Sequence, residues 1–464
     1  MKVTLKDIYS TFFLIGIFFI PFNSFEGVNQ LGEFRKESAA YFLVLAFIIL
    51  CVDSLFRKKM IFPYKDFAFQ ILLFFLLWCL FSTVINLPTV YESYYKKTTG
   101  INRFIRQYFA LILSCIVFFS LYINVVARMS VKQILVTIRT VFLYSFVVVS
   151  VYGFFEILYA VFRIYPAYLV LRLFDYFPFT EYDFDINNRI SSVSYEAPSL
   201  AIYLITIAGW MFSYIITHKS MVKYVPMIVV MILTYFSGSR TALIVVSLQA
   251  IVFFSIILSR KQKINWILYF TVAFVLFSGF ILLSNGNKVV NDIEKKVESL
   301  DFVGNMKNNV SNQSRFGIQY ANMMVFRNHP IIGVGYGQQG YEALYYYPSW
   351  AKKNNYEFKE IYLNKNNPMF PPGYNIYIRL LAETGIIGFA IFVYFLYFIF
   401  KRTRKIIRTE TGDTRTLAII VWVTFIGLAI NWFQVDTFRM YGFWLCFAIL
   451  IQITRSLNKG LNEK

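Results

Sequence analysis

Residues 67–87 read Phe-Ala-Phe-Gln-Ile-Leu-Leu-Phe-Phe-Leu-Leu-Trp-Cys-Leu-Phe-Ser-Thr-Val-Ile-Asn-Leu, a run without one Asp, Glu, Lys or Arg. A helix rises 1.5 Å per residue, so this run is long enough to cross the roughly 30 Å hydrocarbon core of a bilayer. Comparable apolar stretches lie near 8–24, 39–56, 107–126, 138–162, 197–217, 223–238, 240–259, 265–284, 380–400, 416–434 and 437–454. Together they predict an all-α integral membrane protein of about 12 transmembrane helices. The stretch at 223–238 is short and meets the next at Ser237-Gly238-Ser239-Arg240, which predicts a tight hairpin with its tip at 237–241.

Composition agrees. Of 464 residues, 58% are hydrophobic, 20% aromatic and 15% charged, whereas a soluble domain has roughly 45–50% apolar and about 25% charged residues. No soluble architecture could bury 52 Phe and 34 Tyr, so lipid must be part of the solvent. The net charge of +20 would suggest nucleic acid in a soluble chain; among membrane spans it suggests basic cytoplasmic loops instead. Cys51, Cys79, Cys115 and Cys446 all fall in or at the ends of apolar runs, without metal-ligand spacing, and read as small buried hydrophobes. The apolar run near Thr11–Phe22 imitates a signal peptide but lacks a small-residue cleavage site, so it is expected to stay as the first helix.

With the N-terminus cytoplasmic, the inner segments carry Arg57 to Lys59, Lys65, Arg128, Lys132, Lys219, Lys223, Arg260, Lys261, Lys263, the run Lys401 to Lys405, and Arg455. Outside the one long loop the basic residues favour that side roughly two to one, which places both termini inside. The chain then divides into spans at 1–284, a long outer loop at 285–373, and spans plus a cytoplasmic tail at 374–464. A loop that long without structure would be unusual, so short helices over the membrane face are expected in it. A second outer loop, 163–196, is also substantial and aromatic, and no repeat between the two halves is visible.

Chemistry gathers at the outer boundary. Arg189 precedes the sixth span, Arg240 sits at the hairpin tip, and Arg315 opens a helical-looking part of the long loop. Taken singly, such arginines read as snorkelling anchors. Their shared side and their Ser, Thr and Gly neighbours suit a diphosphate headgroup, which guanidinium forks bind well. In His329-Pro330-Ile331-Ile332-Gly333-Val334-Gly335-Tyr336-Gly337, alternate glycines would let backbone N–H groups face an anion; a tight turn explains them equally well. A dinucleotide loop is rejected there, because no parallel sheet would hold it. Tyr374-Asn375 leads into the tenth span, and Asn375, Arg379 and Glu383, spaced by four, predict one polar helix stripe in which Arg379 and Glu383 can pair. Asp183-Phe184-Asp185 is a weak match to a metal-binding Asp-x-Asp. Glu156 is a costly carboxylate within a span, and Asp436 and Arg439 are expected to pair. Walker, zincin and nucleophile-elbow motifs are absent, which removes support for ATP hydrolysis and proteolysis.

Arg189 with Glu196, Ser-Gly-Ser-Arg-Thr at 237–241, His329-Pro330-x-x-Gly333-x-Gly335, and Asn375 followed by Ala382-Glu383-Thr384-Gly385 resemble, in that order over roughly 185–400, the O-antigen ligase and polymerase superfamily. The resemblance implies a multi-pass glycosyltransferase of the bacterial inner membrane with its site facing the periplasm. It implies undecaprenyl-diphosphate-linked oligosaccharide as donor and no metal or other cofactor. Arg189, Arg240 and Arg315 would then hold the diphosphate, with His329, Gly333, Gly335, Gly337, Tyr374, Asn375 and Arg379 around the substrate. Many ligases carry a His before the Asn of the last motif, taken as base or acceptor-positioning group; this chain has Tyr374 there. A phenol with a reference pKa of about 10 is a poor base, which leaves Glu196, Glu383 or His329. Tyr345, Tyr346, Tyr347 and Trp350 suit stacking on sugar faces or an interfacial belt.

The reading that follows is a surface-polysaccharide polymerase working on lipid-linked repeat units in the bilayer, with a chain-length regulator as a candidate partner and no nucleic acid. The missing His and the long aromatic loops favour it over the nearest alternative, a ligase transferring finished glycan to lipid A-core. A transporter or flippase is more remote, since the polar groups gather at one face rather than deep in the spans.

Overall fold

The computed structural model describes residues 4–57, 59–181, 189–258 and 310–462. Its longer helices are α1 (Leu5–Phe18), α2 (Ser38–Arg57), α3 (Phe67–Ile85), α4 (Gly100–Val126), α5 (Val131–Val161), α6 (Ala197–Thr217), α7 (Met221–Phe236), α8 (Arg240–Ile257), α9 (Val310–Asn328), α10 (Ile376–Thr409), α11 (Gly412–Asn431) and α12 (Tyr441–Asn462). Among the described residues 8 helices are long and apolar enough to cross a membrane, and strand is confined to the pair Tyr94–Tyr95 and Thr98–Thr99. The protein is all-α and of membrane type. Eleven of the expected spans fall on helices, while 265–284 lies outside the described residues. α7 is short, as its sequence implied, and α1, with 14 residues, is shorter still.

Local signals set the helix ends. Asp66 caps α3 by accepting from the N–H groups of Ala68 and Phe69, and Ser130 with Gln133 forms a capping box at α5. At the α7–α8 hairpin Gly238 takes φ +65°, open to glycine at little cost, and the Ser239 hydroxyl accepts from Ala242 N–H to start α8 at Arg240. The Ser-Gly-Ser-Arg sequence is thus a turn followed by a cap, which fixes where Arg240 stands.

α1 packs on α2, α3 on α10, α4 on α12, and α6, α8, α10 and α12 all pack on α11. Trp210, Trp432 and Trp444 are fully buried at these seams. Gln249 of α8 donates to the carbonyls of Ile205 and Val423, both at 3.0 Å, pinning α6, α8 and α11 together. Large apolar side chains such as Phe56 (80% exposed) and Leu77 (61% exposed) point away from the bundle, as expected where lipid is the solvent.

Residues 310–373 form a helical layer against α10, with its own small core that includes Ile318, Val325, Tyr347, Phe358 and Tyr362. Tyr347 therefore packs edge-on to Phe358 at 4.9 Å as a structural residue, and the Tyr346 hydroxyl accepts from Asn328, while Tyr345 stays exposed. The layer meets the bundle at the C-terminal end of α3 and the N-terminal ends of α4 and α10. At the opposite end Arg402 of α10 pairs with Asp66 before α3 at 2.6 Å.

Candidate active site

The long helix α10 is broken near its start. Gly385 has φ +65° and ψ −171°, so the helix restarts after it. The break exposes carbonyls to the glycine-rich segment, which runs alongside: Val334 N–H donates to Ala382 O (3.0 Å), Gly335 N–H to Glu383 O (2.9 Å), and Ile386 N–H to Pro330 O (2.8 Å). Ser82 of α3 donates to the carbonyls of both Ile332 and Glu383, and Thr83 accepts from Tyr336 N–H. A Cβ on Gly333 would lie 2.4 Å from the Glu383 carbonyl carbon, and one on Gly385 2.1 Å from Ile331 O. The glycines are needed for backbone contact and positive φ. The expected anion nest is not what these amides do: those of Gly333, Val334, Gly335 and Tyr336 are spent on His329 O, Ala382 O, Glu383 O and Thr83.

Asn375 caps α10, its Oδ1 accepting from Tyr377 N–H (3.0 Å) and Ile378 N–H (3.2 Å). It therefore sits at the helix end rather than within the expected polar stripe, which reduces to Arg379 and Glu383. Those two form a buried ion pair at 3.0 Å. Arg379 also donates to Gln107 (3.0 Å) and to the Asp436 carbonyl (2.7 Å), with the Asp436 carboxylate at 3.7 Å. The expected Asp436–Arg439 pair is replaced: Arg439 pairs with Glu37 at 2.6 Å and approaches Glu33 at 3.9 Å. Asp436 instead receives Gly373 N–H at 2.6 Å. The physical reason is the turn after α11, which directs Asp436 toward α10 and Arg439 toward the segment before α2.

Three arginines from separate segments converge beside this clasp. The Arg189 side chain lies along Gly238, whose missing Cβ leaves room for it. Arg240, two residues on, contacts Asn312 of α9 at 3.5 Å and feels the charges of both Arg189 and Arg315. Arg315 donates to Gln434 at 3.2 Å and stands 5.4 Å over the Tyr374 ring. Neither Arg189 nor Arg315 has a carboxylate ion-pair partner among the described residues. Glu156 holds the Arg189 loop in place, its carboxylate accepting from Ser191 N–H (2.9 Å) and Ser192 N–H (2.7 Å). That is the partner its position in a span demanded. Asp183 to Asp185 lies outside the described residues.

Tyr374 shares a hydrogen bond with the Tyr362 hydroxyl, and burial holds its phenol above the ordinary value, so it ionises less readily than a free tyrosine and is less available as a base. Glu196 is exposed, accepts from the Tyr195 hydroxyl at 2.7 Å, and lines a cavity of about 430 Å³ together with Glu33, Glu37 and Arg439. His329 stands apart, in an ion-pair geometry with Glu342 at 3.1 Å that clasps α9 to the helix Gln339–Ala343. The structure thus brings Arg189, Arg240, Arg315 and Tyr374 together, with Arg379 and Glu383 beside them. Sequence reasoning missed Arg103 and Arg106. Their signal was Arg-x-x-Arg-Gln just before the fourth apolar stretch, on one face of α4.

These features define a polytopic protein with a cation-lined site over one end of its bundle. Residues 225–393 match the family model of the O-antigen ligases, covering α7, α8, α9, the glycine clasp and the first part of α10. That match supports membership of the O-antigen ligase and polymerase superfamily, whose members are glycosyltransferase-like enzymes. No match among curated proteins is found.

Proposed function

We propose that the protein is a surface-polysaccharide polymerase, moving a growing glycan from an undecaprenyl-diphosphate carrier to another lipid-linked repeat unit at the periplasmic face of a bacterial inner membrane. The observation that carries this is the convergence of Arg189, Arg240 and Arg315 from three segments onto one place at the end of the spans. The acceptor oxygen bonds to the anomeric carbon as the bond from that carbon to the diphosphate oxygen breaks. The leaving diphosphate takes the electron pair, and guanidinium groups preorganised around it stabilise the developing charge. Glu196, exposed in its cavity, takes the acceptor hydroxyl proton. Arg379 and Glu383 act as positioning residues: they hold Asp436, and through it Gly373 and the Tyr374 turn, in register with Arg315.

Tyr374, engaged by Tyr362 where many ligases carry His, favours polymerase over ligase. A deletion strain tests the choice. A polymerase predicts core carrying a single repeat unit. Core without any repeat, alongside accumulated carrier-linked polymer, would establish the ligase instead.

A further inference from the structure

A second cavity, of about 330 Å³, adjoins the first through Glu33, Arg106, Thr437 and Arg439. Its wall contains four guanidinium groups. Three have a carboxylate: Arg106 has Glu33 at 3.1 Å, Arg379 has Glu383 at 3.0 Å, and Arg439 has Glu37 at 2.6 Å. Arg103 has none among the described residues. Its Nε donates to Gly337 O at 2.7 Å and its plane lies 3.5 Å over the Phe370 ring, which fixes the fork in orientation. The two terminal nitrogens have no hydrogen-bond acceptor among the described residues, although the group lines the cavity. The Arg379 guanidinium repels it, and the Glu383 and Glu33 carboxylates act on it from beyond ion-pair distance. A fixed, half-buried guanidinium with two idle donors is complementary to a planar or tetrahedral oxyanion. Around it Pro368, Met369 and Pro372 give accessible apolar surface against which a sugar ring can lie, and the adjoining cavity supplies the Glu196 carboxylate and the Ser199 hydroxyl.

We infer that the paired cavities form an acceptor cleft for an acidic saccharide, whose carboxylate or phosphate is gripped by the terminal nitrogens of Arg103. The inference rests on the glycan-transfer reading above and adds to it a class of acceptor. None of the three arginines of the trio lines either cavity, so donor diphosphate and acceptor anion have different cationic hosts.

The test measures binding to the full-length protein in nanodiscs, which separates it from any assay of turnover. The probes are a glucuronate-bearing disaccharide, glucose 6-phosphate and neutral cellobiose. The cleft predicts that at least one anionic sugar binds about tenfold or more tightly than cellobiose, and that Arg103→Gln removes that preference. Arg103→Lys keeps the charge without the fork and should retain part of it. Arg240→Ala, in the trio, should leave it intact. Whichever anionic probe binds more tightly identifies the source, carboxylate or phosphate. Unchanged thermal unfolding of Arg103→Gln shows that the loss is not misfolding, and Phe370→Ala, which frees the fork, gives a second variant expected to weaken the same ligand. Equal binding of all three probes, no binding, or full preference in a folded Arg103→Gln protein would overturn the cleft while leaving the glycosyl-transfer reading standing.

Discussion

Replacing Glu383 by Gln separates a chemical role from a positioning one. The carboxylate is fully buried and holds Arg379 Nε at 3.0 Å. Without its charge, Arg379 keeps the Asp436 carboxylate, at 3.7 Å, and two neutral acceptors, Gln107 and the Asp436 carbonyl. Removing one member of a buried ion pair costs roughly 3–5 kcal/mol, chiefly because the other charge is left uncompensated. The remaining contacts of Arg379 put this case near the lower end, about 3 kcal/mol. Thermal unfolding of the purified protein in detergent should therefore shift down by several degrees, with activity falling in parallel as the Gly373–Tyr374 turn loosens. Replacing both partners, Arg379→Met with Glu383→Leu, removes the stranded charge and should recover most of the lost stability. A Glu383→Gln protein that unfolds like the wild type yet turns over no substrate would refute this, and would make Glu383 the base.

Gly333→Ala should be severely destabilising, because φ is +76° and the new Cβ would meet the Glu383 backbone at 2.4 Å; Gly412→Ala, with φ +60° and open space, should cost only about 1 kcal/mol in the same unfolding assay. Glu156→Gln keeps one acceptor oxygen for two N–H groups, so the Arg189 loop should loosen and the rate should fall roughly tenfold, with less effect in a variant already lacking Arg189. Glu33 gives a pH signature. Burial raises its pKa, but the Arg439 and Arg106 guanidiniums outweigh that and hold it below the ordinary glutamate value. The stabilisation is complete above about pH 4.3 and is lost as pH falls through the lower folded value, so Glu33→Gln should flatten the acid limb of a stability–pH curve.

The fold was legible because span-length apolar runs carry their own evidence, and the hairpin at 237–241 because glycine and a capping serine write their geometry locally. The arginine trio was legible as three residues on one side. The Arg379–Glu383 pair followed from helical spacing. The glycine segment misled, since its spacing suits an anion nest and a backbone clasp alike; the Gly385 break, which decides between them, depends on a segment some fifty residues away in sequence. Arg439 went to Glu37 rather than Asp436 for the same reason, its partner lying before α2. Arg103 escaped notice because an arginine at the start of a span looks like an anchor until the partners of its neighbours are known.

The most direct measurement is turnover of an undecaprenyl-diphosphate-linked oligosaccharide by the purified protein in lipid, wild type against Arg189→Ala, Arg240→Ala and Arg315→Ala. The wild type should lengthen the lipid-linked glycan and release undecaprenyl diphosphate, and each variant should lose on the order of 10²–10³ in rate, as for the loss of one preorganised donor. Wild-type rates in all three folded variants would contradict the assignment of the diphosphate to the arginine cluster.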